Sequence, residues 1–325
     1  MAKKILFAPK YSDEIMQIAR SLMPPGFELA PADFGTPEFI EAAQTAEYFL
    51  GTARGAMAGE FFRSAPNLKL VQLTSAGYDR VDLESARKAK VPVSNNGGAN
   101  SLAVAEHTIM LMLAVLKRLV FHHNNVVAGK WRVGDMGHNI FEAGGRTLGI
   151  IGLGNIGKKV ARRARVFEMN VQYYDILRLT EDQEDALGVK FVLLDELLRT
   201  SDVVTLHVPL TDRTRKIIGA RELSMMKPSA ILINTCRGPV IDEDALYKAL
   251  STRQIAAAGL DVMVEEPPAP KHQLFTLPNV TLTPHSAGPT WENWVSRFRN
   301  AFDNIQRVEN GGKPRWTVYE MNPNE

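Results

Sequence analysis

Thr147-Leu148-Gly149-Ile150-Ile151-Gly152-Leu153-Gly154-Asn155-Ile156-Gly157 is the stretch that decides the fold. It opens as a short apolar run, passes into G-x-G-x-x-G, and continues through Lys158 to Phe167 in helical composition. A strand that runs straight into such a turn and leaves it as a helix is the first βα unit of a doubly wound parallel sheet that holds a dinucleotide. Gly152 allows the tight turn, Gly154 lets a pyrophosphate approach the backbone, and Gly157 lets helix and strand pack closely. The amides at the start of the helix, at Asn155 and Ile156, face an anion. A second strand, Val171-Gln172-Tyr173-Tyr174, ends at Asp175, 18 residues past Gly157. An acid at this place accepts hydrogen bonds from the adenosine ribose and repels a 2′-phosphate, which favours NADH over NADPH. Arg178, three residues on, works against that preference.

The same alternation extends outward. Lys4–Ala8, Ala46–Gly51, Lys69–Leu73 and Val91–Ser94 read as strands before the glycine turn, and Val203–Leu206, Ala230–Asn234, Ala256–Leu260 and Asn279–Thr283 after it. Helical patterns lie between them, at Ser12–Met23, from Ser64–Pro66 onward, and at Asp242–Ser251. Strands alternating with helices predict an α/β chain with parallel sheets. Two turn-rich breaks, Asn95-Asn96-Gly97-Gly98-Ala99-Asn100 and Ser286-Ala287-Gly288-Pro289, predict a cofactor domain inserted into a second domain. The expected division is 1–99 with 289–325 for the substrate domain, and 100–288 for the dinucleotide domain. Asn100 or Ser101 is the expected N-cap of a helix that begins near Leu102. The apolar stretch Leu102 to Phe121 carries Glu106, His107, Lys117 and Arg118, too many charges for a membrane span, and reads as one buried helix with Met110 and Met112 in its core. The polar tail from Gly311 reads as a surface segment.

Composition narrows the function classes. The 325 residues are 45% hydrophobic and 23% charged, ordinary for a globular protein of about two domains. Lys+Arg 38 against Asp+Glu 36 leaves +2, which argues against nucleic acid as the main partner. No apolar segment follows the basic N-terminus to make a signal peptide. The single cysteine, Cys236, excludes an internal disulfide and a cysteine zinc cage, and fits the reducing cytoplasm. His122 and His123 are adjacent, a poor chelate on a helix, so no metal site is expected.

Three further strand ends carry chemistry. Ile231 to Thr235 leads into Cys236-Arg237-Gly238, Gly259-Leu260-Asp261 leads toward Glu265-Glu266-Pro267, and Val280 to Thr283 leads into Pro284-His285. In parallel sheets ligands bind outside the carboxyl ends of strands, so Arg237, Asp261, Glu266 and His285 converge on one crevice. Reduction of a 2-keto acid needs a hydride donor, a proton donor for the carbonyl oxygen, and a cation for the carboxylate. An imidazolium supplies the proton, and a carboxylate beside it favours its charged form. An arginine fork grips a planar carboxylate. Cys236 reads as a small packing residue, since no base stands by to activate it. Trp291 and Trp294 either line the mouth of the site or anchor a helix.

These motifs together resemble the D-isomer-specific 2-hydroxyacid dehydrogenases, over nearly the whole chain. Leu73-Thr74-Ser75-Ala76-Gly77-Tyr78-Asp79 resembles the family's substrate-carboxylate loop, and Ala103-Val104-Ala105-Glu106-His107 the start of its long helix. His207-Val208-Pro209-Leu210-Thr211 resembles its strip beside the adenine and nicotinamide, and Asn234-Thr235-Cys236-Arg237-Gly238 its arginine motif, where Ala is usual in place of Cys236. The segments from Asp261 to Pro267 and Thr283-Pro284-His285 resemble its glutamate and histidine motifs. The resemblance implies that Arg237 binds the substrate carboxylate and carbonyl, that His285 is the acid/base, and that Glu266, rather than the adjacent Glu265, pairs with it. Asp261 would hold the nicotinamide carboxamide, while His207, Val208, Pro209, Thr235 and Cys236 line the cofactor. Ser75, Ala76 and Gly77 would line the substrate. It also implies a homodimer, built on the long helix and an arm around Trp131, and two domains that close over the substrate.

The expected function is NAD-dependent reduction of a small 2-keto acid to the D-2-hydroxy acid. Formate dehydrogenase is disfavoured because that branch looks different where this chain has Glu266. Phosphite dehydrogenase resembles the same Arg, Glu and His set but carries a lysine in the carboxylate-loop region, where Thr74 to Gly77 offers none. From another class stands an NAD(H)-sensing, corepressor-like binding protein on the same fold. The substrate side chains, near Leu50–Ala53 and Ser75–Tyr78, do not name the acid.

Overall fold

The computed structural model describes residues 2–53, 57–132, 137 and 139–318. The chain divides into two compact units, one taking in the residues up to Asn100 and from Gly288 onward, the other Ser101–Ala287.

The first unit is built on strands β1 (Lys3–Ala8), β2 (Phe27–Pro31), β3 (Tyr48–Gly51), β4 (Leu70–Leu73) and β5 (Val93–Ser94), all parallel, in the order β2-β1-β3-β4-β5. Helices α1 (Asp13–Leu22), α2 (Pro37–Thr45), α3 (Gly59–Ser64) and α4 (Leu83–Lys88) connect them. Because side chains alternate along a strand, the central strands β1, β3 and β4 feed two cores. Ile5, Phe7, Tyr48 and Leu50 pack with α1 and with the C-terminal helix Trp291–Glu309. Leu6, Ala8, Phe49 and Val71 pack with Phe39 of α2, Phe61 and Phe62 of α3 and Ala86 of α4. Trp294 lies in the first of these cores, stacked on Phe298, so it anchors its helix; Trp291 is exposed.

The second unit has seven parallel strands: β6 (Thr147–Ile151), β7 (Asn170–Tyr174), β8 (Lys190–Phe191), β9 (Val203–Leu206), β10 (Ile231–Asn234), β11 (Ala257–Leu260) and β12 (Val280–Leu282). Their order is β12-β11-β10-β9-β6-β7-β8, the doubly wound arrangement with its switch point between β6 and β9. Helices α5 (Ser101–Leu116) and α7 (Asn155–Val166) cover one face, through Ile109, Leu111, Val160 and Ala164. Helices α9 (Leu194–Thr200), α10 (Ala220–Met225) and α11 (Glu243–Ser251) cover the other, through Leu197, Leu223 and Leu246. Helices α6 (Leu119–Val127) and α8 (Glu181–Leu187) also belong to the unit, and the C-terminal helix of the first unit is α12.

Several expectations need correction. The stretch Leu102 to Phe121 is not one helix: Arg118 is left-handed (φ 50°) and separates α5 from α6, which has no buried residue. Met110 is exposed while Met112 is buried, because positions two apart lie on different sides of a helix. The helix expected from Ser64 onward instead ends there, as a residue before proline disfavours the helical region and Ala65 precedes Pro66. Of the two expected caps, Ser101 is instead the first residue of α5, and Asn100 directly precedes the helix. Strands β2 and β8 escaped the sequence reading; β8 has two residues, and β2 ends in Pro31, which an edge strand tolerates. The tail from Gly311 is no loose surface segment up to Val318: Thr317 bridges Ser94, Val318 N bonds Val93 O, and the Val318 side chain is buried. The rest of that tail, and part of the arm expected around Trp131, lie outside the described residues. Among the described residues no helix is long and apolar enough to cross a membrane.

Asn304 of α12 holds this return in place. Fully buried, it donates to Gln72 Oε1 (2.6 Å) and Arg315 O (3.0 Å) and accepts from Arg315 N (2.7 Å). Asn304→Leu keeps the volume and strands these groups, which is expected to cost about 1–3 kcal/mol for each stranded partner, read as a lower denaturation midpoint; an unchanged midpoint would remove Asn304 as the anchor.

Candidate active site

The glycine turn sits between β7 and β9, the two neighbours of β6. Gly152 N donates to Tyr174 O, and His207 N donates to Ile151 O. Gly152 is left-handed (φ 94°), and a Cβ on it would stand 2.6 Å from His207 O, so no side chain fits. A Cβ on Gly157 would collide with Gly152 O, which is the close helix-to-strand approach the motif requires. Gly154 differs: nothing lies within 4 Å of its absent Cβ. Protein packing therefore does not demand glycine there, whereas a phosphate passing over the turn does. The amides of Asn155, Ile156 and Gly157 open α7 without helical partners. Asp175, at the end of β7, accepts from Leu153 N (2.6 Å) and Leu177 N (3.0 Å), so its carboxylate is braced against the turn. These residues fit a dinucleotide: an open cradle, a row of donors, and an acid beside it.

The other expected cofactor contacts spread along strand ends. His207, at the end of β9, has its pKa pushed down to about 3 by burial and shares a 3.0 Å hydrogen bond with Thr205, so it is neutral and no acid/base at neutral pH. Val208 packs toward Gly152, and Pro209 O accepts from Thr214 (2.5 Å). Thr235 is buried and shares a hydrogen bond with Thr108 of α5 (2.9 Å). Burial pushes the Cys236 thiol up to about 11 despite the Arg237 charge, which removes thiolate chemistry.

Arg237, Glu266 and His285 stand at the carboxyl ends of β10, β11 and β12. His285 Nδ1 bonds Glu266 Oε2 at 2.7 Å, and Glu266 Oε1 accepts from Met263 N at 3.1 Å. Burial alone would raise the Glu266 pKa. The His285 hydrogen bond and charge, the Met263 amide and the Arg237 charge outweigh it and hold the group below the usual value. Since an ionised carboxylate only accepts, His285 carries a proton on Nδ1 and turns Nε2 outward; the ring is 43% exposed. Glu265 is exposed, and the histidine bond belongs to Glu266. Asn234 shapes the arginine turn, accepting from Cys236 N (3.0 Å) and donating to Arg237 O (2.9 Å). A Cβ on Gly238 would collide with the Met263 carbonyl, so this glycine brings the arginine turn against the Glu266 loop.

Asp261 is 1% exposed and holds the histidine turn. Its Oδ1 accepts from the Thr283 hydroxyl (2.5 Å) and Ser286 N (2.9 Å), and its Oδ2 from Ala287 N (2.9 Å). Its backbone carbonyl receives His285 N (2.7 Å). His285 is thereby fixed at φ 53°, a conformation that side chains rarely adopt. His107 of α5 bonds the Thr283 hydroxyl at 2.9 Å and lies 3.3 Å from Asp261 Oδ1. Because Thr283 donates to the carboxylate, His107 Nε2 donates to Thr283. His107, Thr283 and Asn234 were quoted in the sequence only as motif neighbours. Glu106-His107-Thr108, a polar triplet inside an otherwise apolar helix, was the signal that α5 serves the site.

In the first unit, the loop Ser75-Ala76-Gly77 follows β4. Ser75 donates to Gly77 O (2.9 Å), and the loop is tied to the Asn95-Asn96 turn by Asn96 N to Ser75 O (3.0 Å) and Asn95 Nδ2 to Ala76 O (3.4 Å). Among the described residues no cluster of acids, histidines and cysteine forms a metal site.

A dinucleotide cradle on one side of the switch point, and an arginine, glutamate and histidine on the strand ends at the other, define a nicotinamide-dependent dehydrogenase class. The model of the D-isomer specific 2-hydroxyacid dehydrogenase NAD binding domain matches residues 109–287. A glyoxylate reductase of Korarchaeum cryptofilum is 40% identical over 280 residues, covering 85% of this chain and 83% of that one. Among solved structures, a glyoxylate reductase from Paecilomyes thermophila superposes with a TM-score of 0.84 at 30% identity, over 98% of this chain and 99% of that one. The D-lactate dehydrogenase of Aquifex aeolicus, complexed with NAD and lactic acid, gives 0.82 at 28% identity, over 95% and 96%. The chain belongs to the D-isomer specific 2-hydroxyacid dehydrogenase family.

Gly154→Ala separates cofactor from fold. With φ −73° and open space at the Cβ, it is expected to change unfolding free energy by less than about 1 kcal/mol and to weaken NADH binding about tenfold or more through lost phosphate contacts. Calorimetric titration with NADH beside a melting curve reads both; intact affinity would mean the turn does not carry the pyrophosphate.

Proposed function

We propose that this protein is an NAD-dependent reductase of a small 2-keto acid, yielding the D-2-hydroxy acid, with glyoxylate the first candidate substrate. The observation that carries the reading is the 2.7 Å His285–Glu266 hydrogen bond within the influence of the Arg237 charge, on the strand ends of a dinucleotide-binding sheet. The names of the relatives support the substrate class. In the proposal the 75–77 loop supplies donors to the substrate carboxylate, and the first unit is the substrate domain.

Gly152, Gly154, Asn155, Ile156, Gly157 and Asp175 hold the cofactor's phosphates and ribose, and His207 to Pro209, Thr235 and Cys236 its edge. In the proposal Asp261, whose Oδ2 accepts from Ala287 N, takes the nicotinamide carboxamide. When bound, the nicotinamide supplies a hydride to the carbonyl carbon. Arg237 grips the carboxylate and polarises the carbonyl. His285 gives the proton from Nε2 to the carbonyl oxygen, while Nδ1 stays bonded to Glu266, whose charge stabilises the imidazolium before transfer. In the reverse direction the neutral ring takes the hydroxyl proton. Because His207 is held neutral, His285 is the proton donor in this proposal.

The reading extends to a homodimer, supported by apolar side chains left exposed on α5 and α6, among them Met110, Leu119 and Val127.

The test is a 340 nm absorbance screen of NADH and NADPH against glyoxylate, hydroxypyruvate, pyruvate, 2-ketogluconate, phenylpyruvate and phosphohydroxypyruvate, with NAD and phosphite as a reverse arm. Oxidation of NADH with a clear favourite supports the reductase. Saturable NADH binding without turnover supports the sensing alternative, and turnover of phosphite that runner-up. His285→Ala is expected to lower kcat about 10²–10⁴-fold with NADH affinity retained; a near-normal kcat would remove its role.

A further inference from the structure

Arg178 follows Asp175 at the carboxyl end of β7, where a guanidinium with donors to give would welcome a 2′-phosphate. Two of its five donors are committed elsewhere. Arg178 Nε donates to Glu184 Oε1 at 2.9 Å and Nη2 to Oε2 at 3.3 Å, a two-point fork on one carboxylate. The guanidinium lies over the Phe191 ring, 5.2 Å from its centre. Glu184 is itself held firmly. It sits on α8, nearly buried, and accepts from the Tyr173 hydroxyl at 2.8 Å, whose oxygen in turn accepts from Leu179 N at 2.9 Å. Tyr173 pairs with Phe191 across β7 and β8. The Arg178 hydrogen bond, the leading cause, holds the Glu184 pKa below its usual value against burial, so the acid stays ionised and keeps its grip. Meanwhile Asp175 stays beside the turn, accepting from the backbone amides of Leu153 and Leu177.

We propose that Glu184 is a cofactor-specificity residue: by occupying the Arg178 fork it withholds from the adenosine 2′ position the cation that would bind phosphate, and leaves Asp175 to select the unphosphorylated ribose. The inference rests on the reading of Asp175 as the ribose acid. A pair that merely fastened α8 to β7 would affect stability without changing which dinucleotide is chosen.

Direct binding of NADH and NADPH to the full chain, by calorimetry, needs no known substrate. Glu184→Gln, nearly isosteric, and Glu184→Ala as a second variant are expected to raise the NADPH-to-NADH affinity ratio about tenfold, the scale of a freed hydrogen bond to a charged group. Arg178→Ala alone should leave NADH affinity unchanged, and combined with Glu184→Gln it should abolish the gain. An unmoved ratio in both Glu184 variants overturns the inference, as does a gain that survives loss of Arg178. Asp175→Ser distinguishes the two layers. If it raises the ratio while the Glu184 variants do not, only the role of Glu184 falls. If it leaves the ratio unmoved, the ribose reading fails and takes the inference with it.

Discussion

A carboxylate removed from water must find its donors inside the protein, and in the second unit much follows from how Asp261 meets that requirement. Ser286 and Ala287 give their amides, Thr283 gives its hydroxyl, and His107 stands behind Thr283 from α5. Meeting these bonds bends the chain after β12 into a turn that carries His285 in a left-handed conformation, with its ring against Glu266. The acid/base candidate is thus positioned by a buried charge it does not touch with its own side chain. The long helix is drawn in by the same charge, so the packing of α5 on the sheet and the geometry of the site are one constraint.

The opposite side of the site depends on what is missing rather than on what is present. Gly152, Gly157 and Gly238 are glycines because neighbouring backbone leaves no room for a Cβ, and each close approach brings a functional turn to its neighbour. Gly154 is glycine where the protein itself leaves room for a side chain, so packing does not account for it. Residues of the same type within one motif thus have separate causes.

Charge near the ribose end follows similar logic. Asp175 is braced by amides, while Arg178 is drawn away to Glu184. Proximity in sequence made Arg178 a counterweight to Asp175; the hydrogen bonds assign it to α8 instead. Two of the guanidinium's donors are committed to a nearly buried acid on α8.

The sequence by itself determined the strand–glycine–helix unit, the parallel α/β class, and the residues with the right chemistry, because period, turn residues and motif spacing are local properties of a chain. Most strands were legible for that reason, while the edge strands β2, which ends in Pro31, and β8, which has two residues, were not. Local reading also joined α5 and α6, since a single left-handed residue at Arg118 leaves apolar composition unchanged, and it freed a tail that Asn304 and Val93 hold. Only tertiary structure decided that His107 and Thr283 support Asp261, that His207 is kept neutral, and that Glu184 takes Arg178. Each of these depends on contact or burial that no local pattern of residues reveals. Burial, which sets the price of an unpaired charge and so chooses its partner, exists only once the sheets have formed.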